Sequence, residues 1–153
     1  MLTPKFWYPE KNEKSISSTA LIPLGYIYAL LSKFRMLQSV QKHFDIPIVC
    51  IGNLNVGGTG KTPTTISAAQ FLIEKGYDVH VVSRGYGGTA KGPLLINDKE
   101  YSANEVGDEA LMLSAFAPTW VADKRSAGIK NAIMEGAEII LLDDGFQDPS
   151  FYK

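Results

Sequence analysis

Three features of this sequence predict an α/β fold, a mostly parallel sheet with helices on both faces. From Ile46 onward, short β-branched runs alternate with helical patterns, the order that produces strand–helix–strand crossovers. The first run, Ile48-Val49-Cys50-Ile51, enters a loop crowded with small residues that closes on Gly60-Lys61-Thr62 and opens a helix. The last, Ile139-Ile140-Leu141-Leu142 after Glu138, ends in Asp143-Asp144-Gly145. Continuous apolar runs of this kind belong to strands buried on both faces.

With 153 residues, 45% of them hydrophobic and 20% charged, the chain has the composition of an ordinary globular protein and the length for one domain with a real core. A net charge of −1 gives no reason to expect a nucleic-acid partner. The charge is uneven: residues 1–45 carry Lys5, Lys11, Lys14, Lys33, Arg35 and Lys42 against Glu10, Glu13 and Asp45, a balance of +3 that leaves −4 for the remainder. Cys50, the single cysteine, excludes a disulfide framework or a cysteine-based zinc site within the chain and reads as a core thiol suited to a reducing cytoplasm. No segment reaches the roughly 18 uninterrupted apolar residues of a membrane span. The N-terminus also lacks the basic start, apolar centre and small-residue cleavage site of a secretory signal.

Residues 1–45 form an N-terminal region distinct from the domain over 46–153. After Phe6-Trp7-Tyr8-Pro9 and a polar stretch, the segment Ala20–Leu31 is apolar apart from tyrosine hydroxyls and contains Pro23 and Gly25. Ala20, Leu24, Ile27, Leu31 and Phe34 recur at helical spacing, with Ser32, Lys33, Arg35 and Gln38 on a more polar side, which predicts an amphipathic helix. On spacing alone such a stripe packs against a domain. The basic excess and clustered aromatics leave a membrane-surface role open.

In the domain, a helix is expected over Thr64–Lys75, stopped by Gly76. Val79–Val82 is a short buried strand leading into Ser83-Arg84-Gly85-Tyr86-Gly87-Gly88, a second glycine-rich loop at a strand's carboxyl end, where open α/β sheets collect ligands. Pro93–Asn97 reads as a short extended excursion. Ser102 and Glu105 make a capping-box signature for a helix over 104–116. Thr119–Ala122 is a brief strand, Lys124–Glu135 a helix closed by Gly136, and Glu138–Leu142 a buried strand.

The residues that suggest chemistry start with Asn55-Val56-Gly57-Gly58-Thr59-Gly60-Lys61-Thr62. Its glycines let successive N–H groups point inward, the following helix offers its positive end, Lys61 adds a mobile charge, and the Thr62 hydroxyl can hold Mg²⁺. The strict phosphate-loop pattern has glycine where this chain has Asn55, the side chain that best tolerates a left-handed backbone in its place. Asp143 and Asp144, downstream at a strand end, supply the carboxylate that in a P-loop NTPase holds the cation bridging the β- and γ-phosphates; spacing does not choose between them. Asp108 and Glu109 are explained on spacing alone by the helix dipole. Arg84 is an ordinary surface cation unless its loop meets phosphate, His80 inside a strand reads as structural, and nothing marks His43.

A kinase, a GTPase switch and a non-catalytic nucleotide-binding fragment all fit a phosphate loop. The guanine signature N-K-x-D and the switch D-x-x-G are missed by Ala122-Asp123-Lys124-Arg125 and Asp143-Asp144-Gly145, so the kinase leads.

Taken together, Gly52-Asn53-Leu54, the loop through Thr62-Pro63, Ser83-Arg84-Gly85-Tyr86-Gly87, Val106-Gly107-Asp108-Glu109, Leu142-Asp143-Asp144-Gly145-Phe146-Gln147 and the opening Pro4-x-Phe6-Trp7-Tyr8 resemble the tetraacyldisaccharide 4'-kinase family, the lipid A 4'-kinases of Gram-negative bacteria. The resemblance implies ATP- and Mg²⁺-dependent phosphorylation of the 4' hydroxyl of a lipid A disaccharide precursor at the cytoplasmic face of the inner membrane. It makes the N-terminal helix a membrane-docking element and Asp108 the residue that helps activate the sugar hydroxyl. Lys61 and Thr62 would serve phosphates and Mg²⁺, with Asp143 and Asp144 supporting the metal. Members of that family are about twice as long, so the resemblance implies an N-terminal half. The histidine expected to partner the catalytic aspartate matches neither His43 nor His80, and a complementary C-terminal half is the implied partner.

Overall fold

The computed structural model describes residues 16–38, 43–52, 60–97 and 99–145. The chain divides into two compact units, Met1–Val40 and Gln41–Lys153, whereas the sequence reading draws the boundary after residue 45. In the first unit, helix α1 (Ile16–Gln38) starts earlier than expected and runs through Pro23, since the loss of one backbone hydrogen bond and the bulk of one ring do not end a helix of this length. Every residue from 22 to 31 is exposed. Among them are Ile22, Leu24, Tyr26, Ile27, Tyr28, Leu30 and Leu31. Among the described residues no helix is long and apolar enough to cross a membrane.

The second unit holds β1 (Ile48–Ile51), α2 (Lys61–Glu74), β2 (Val79–Ser83), β3 (Leu94–Leu95), α3 (Ala103–Val106), α4 (Asp108–Ser114), β4 (Thr119–Val121), α5 (Arg125–Met134) and β5 (Ile139–Asp143). The strands form one sheet in the order β1-β5-β2-β4-β3. β1, β5, β2 and β4 are mutually parallel, and only β3 runs antiparallel, on β4. The four parallel strands therefore bring their carboxyl ends to one rim of the sheet, which is where crossover topology builds sites.

Strand alternation distributes the core. Val82, Ile140 and Leu142 point to one face with Trp120, where Ile129 and Ala132 of α5 cover them. Val79, Val81, Ile139 and Leu141 point to the other, against Ala69 of α2 and Leu113 of α4. A third cluster, Val106, Ala110, Val121 and Ile96, closes the β3 end. Both faces of β2 and β5 are covered, and every residue of these two strands is buried, as their unbroken apolar runs require. Cys50, expected in the core, is half-buried at the margin of the α5 face, because β1 lies at the end of the sheet.

Two helices of the second unit differ from expectation in ways that bear on the site. Helix α2 begins at Lys61 rather than Thr64; Pro63 falls in its first turn, where a missing N–H costs nothing and its fixed φ suits the helix. The helix expected over 104–116 is broken into α3 and α4 at Gly107. Gly107 has φ 88 and ψ 146, a conformation open essentially to glycine alone. A Cβ there would lie 2.5 Å from the carbonyl oxygen of Tyr86. The expected cap at Ser102 is formed: Glu105 Oε2 accepts from Ser102 N at 2.9 Å and Ser102 Oγ at 2.8 Å, which holds that carboxyl below its ordinary pKa.

Candidate active site

At the rim, the start of α2 lacks a conventional cap. Its N-cap is Gly60, left-handed at φ 75 and ψ 25, with no side-chain cap bond and no acidic residue in the first turn. Only a residue without a Cβ takes that conformation cheaply. The helix thus presents its positive end and first amides without a resident carboxylate, the arrangement that receives an anion. Lys61 occupies the first helical position, where a cation opposes the dipole, so its charge serves something other than the helix. Thr62, half-buried, follows it. Asn55, Val56, Gly57, Gly58 and Thr59 lie outside the described residues.

Facing this helix end is the turn that leaves β5. Ile51 of β1 is in register with Asp143, and the next amide, Asp144 N, donates to Ile51 O at 2.9 Å, so the end of β1 and the acidic turn lie side by side. Lys61 Nζ reaches Asp144 Oδ1 at 2.9 Å. That hydrogen bond is the main cause of a raised Lys61 pKa, with burial acting in the opposite direction. With side chains 25% and 60% exposed, the pair contributes only about 0–1 kcal/mol to stability. Its significance is that two residues 83 positions apart share one place.

Asp143 is different, being 3% exposed. Burial, then the negative charges of Glu109 and Asp144, push its carboxyl above the ordinary value, partly offset by Lys61 and Arg125. Ser83 Oγ donates to its Oδ2 at 3.5 Å, a long contact, while Oδ1 is buried with no hydrogen-bond partner. A buried carboxylate oxygen with a free lone pair, beside a second carboxylate and a helix start without a side-chain cap, suits a hard divalent cation. Mg²⁺ takes one or two carboxylates and completes its shell with phosphate oxygens and water. It therefore needs no cluster of three acidic or histidine ligands, and among the described residues none exists.

Asp144 has φ 52, the one non-glycine residue with positive φ among those described, a strain of about 1–2 kcal/mol. Arg125 Nη2 donates to Asp143 O at 3.1 Å and Asp144 O at 2.7 Å, bracing the turn from behind.

Asp108 is the first residue of α4 and is exposed. Its neighbour Glu109 acts electrostatically on both Lys61 and Asp143, so the first turn of α4 belongs to the same neighbourhood. The structure thus brings Lys61, Asp143 and Asp144 together, with α4's first turn within electrostatic reach. Arg84 follows β2 at the rim and is exposed. His80 lies elsewhere: 4% exposed, it accepts from Trp120 Nε1 at Nδ1, 3.1 Å, which leaves its proton on Nε2, 3.3 Å from Asp78 Oδ1. Burial lowers its pKa, against the pull of Asp78. Ser83, Glu109 and Arg125 carry no assigned role in the sequence reading. Arg125 had a signal there, a cation at the start of a predicted helix just past a strand end.

Sheet order, crossover helices and a Lys-Thr helix start facing an acidic strand end define a P-loop nucleotide-binding fold. Comparison with known proteins narrows this class. Residues 17–153 match the family described as LpxK, tetraacyldisaccharide-1-P 4'-kinase, and the chain belongs to that family. It is 49% identical over 150 residues to the tetraacyldisaccharide 4'-kinase of Jannaschia sp. (strain CCS1), covering 98% of this chain and 45% of that protein. It is 44% identical over 154 residues to that of Parvibaculum lavamentivorans, covering 100% of this chain and 45% of the relative. A crystal structure of LpxK from Aquifex aeolicus in complex with ATP superposes with a TM-score of 0.75 at 29% identity, covering 88% of this chain and 46% of that one. The chain spans about 45% of the length of the curated relatives it matches.

Proposed function

We propose that this chain is the nucleotide-handling half of an ATP-dependent kinase that phosphorylates the 4' hydroxyl of a lipid A disaccharide precursor. The single observation that carries the reading is the convergence of Lys61 at an uncapped helix start with Asp144 and the orphaned Asp143 Oδ1. Family membership supports the reaction, and the ATP-bound relative supports the nucleotide.

In this reading the loop 55–60 and the first amides of α2 cradle the phosphates, and Lys61 neutralises charge that develops on the transferred group. The Thr62 hydroxyl, Asp143 and Asp144 would hold Mg²⁺, which would supply charge neutralisation for the phosphates. Asp108 takes the proton of the sugar hydroxyl; this role comes from the family resemblance. The exposed apolar residues of α1 support a docking element for the cytoplasmic face of the inner membrane, where an acylated substrate would be anchored. A complementary C-terminal half would supply the remaining groups.

Calorimetric titration with ATP and Mg²⁺ tests the reading. The wild-type chain should bind, and Lys61→Ala should bind about tenfold to a hundredfold more weakly, the usual cost of one charge-assisted hydrogen bond. Absence of wild-type binding, or equal binding by the variant, would refute it.

A further inference from the structure

We propose that Arg125 is a positioning residue of this site, holding the main chain of Asp143 and Asp144 so that the two carboxylates are set for the metal. The proposal rests on the nucleotide reading above and extends it to a residue that never touches the ligand.

Arg125 is 4% exposed at the first position of α5. That is a poor place for a cation on two counts: burial removes its water, and the helix dipole repels it. A side chain that only filled this corner would be apolar. What the guanidinium does instead is specific. One nitrogen, Nη2, donates to two consecutive carbonyls, Asp143 O at 3.1 Å and Asp144 O at 2.7 Å. Along an extended strand consecutive carbonyls point to opposite sides; after the last β5 residue they converge through the left-handed turn at Asp144, φ 52. Without a cation between them the two carbonyl dipoles repel. With it, the turn is held. Asp144 Oδ1 meets Lys61 Nζ at 2.9 Å, and Asp143 keeps Oδ1 without a hydrogen-bond partner. Groups that orient metal-binding carboxylates in this way typically govern metal affinity.

The test measures ATP binding by the whole chain across a Mg²⁺ series and in EDTA, for wild type, Arg125→Gln and Arg125→Lys, with thermal melts of each. Arg125→Gln should bind ATP in EDTA as the wild type does. It should need about tenfold to a hundredfold more Mg²⁺ to reach half-maximal tightening. Arg125→Lys should fall between the two, because a lysine ammonium can bridge both carbonyls from a shorter stem. Unchanged Mg²⁺ dependence in Arg125→Gln would overturn the proposal while leaving the nucleotide reading intact. Equal weakening with and without Mg²⁺ would also overturn it, as would loss of a folding transition in both variants, which would make Arg125 a support of the core. No ATP binding by the wild type would overturn both readings.

Discussion

Asp143 illustrates how a site residue works against stability. Its folded pKa is raised above the ordinary 3.8, chiefly by burial, so the folded state favours the protonated carboxyl more than the unfolded state does. The sign follows: the cost of ionisation is fully present above the raised folded value and disappears as pH falls toward 3.8. Asp143→Asn should therefore melt higher than wild type at pH 7, by roughly 2–4 °C for each kcal/mol relieved. The difference should shrink in melts at pH 4. The same variant should lose the Mg²⁺ dependence of ATP binding. Higher stability with lower function is the pattern expected where a charge is held in place for a ligand.

Among the elements, the break between α3 and α4 is the most informative. Local patterning reads residues 104–116 as one helix, and the capping box at Ser102 and Glu105 forms as that reading requires. The helix stops at Gly107 because the loop after β2 crosses it, bringing Tyr86 O against the glycine. The break makes Asp108 the head of a new helix at the rim instead of one turn inside a longer one. Gly107→Ala should cost about 2–4 kcal/mol, combining backbone strain with an overpacked contact, and lower the melting temperature by at least about 5 °C. A variant that melts with the wild type would show that the loop can yield.

For the molecule as a whole, the sheet supplies one rim with strand ends, a helix start and paired carboxylates, while the chain covers about 45% of its relatives' length. Binding a nucleotide needs only the rim. Transfer also needs the acceptor hydroxyl held in line with the transferred phosphoryl group. The chain alone is therefore expected to bind ATP and to transfer little or no phosphate to the disaccharide precursor. Radiolabelled transfer at a rate typical of kinases would contradict this.

Much of the architecture was legible in the sequence because the signals are local. Apolar runs at Val79–Val82 and Ile139–Leu142, glycine stops at Gly76 and Gly136, and the loop ending in Gly60-Lys61-Thr62 each depend on a few neighbouring residues. The motifs also carried family membership, since their order along the chain is itself sequence. What tertiary structure decided are contacts between residues remote in the chain: which carboxylate is buried, which one meets Lys61, where Gly107 breaks a helix, and why a cation stands at the start of α5. Asp143 and Asp144 are adjacent and chemically alike, and no local pattern separates them. The β5 turn separates them, because Asp143 is the last, buried residue of the strand while Asp144 takes the left-handed turn and reaches Lys61.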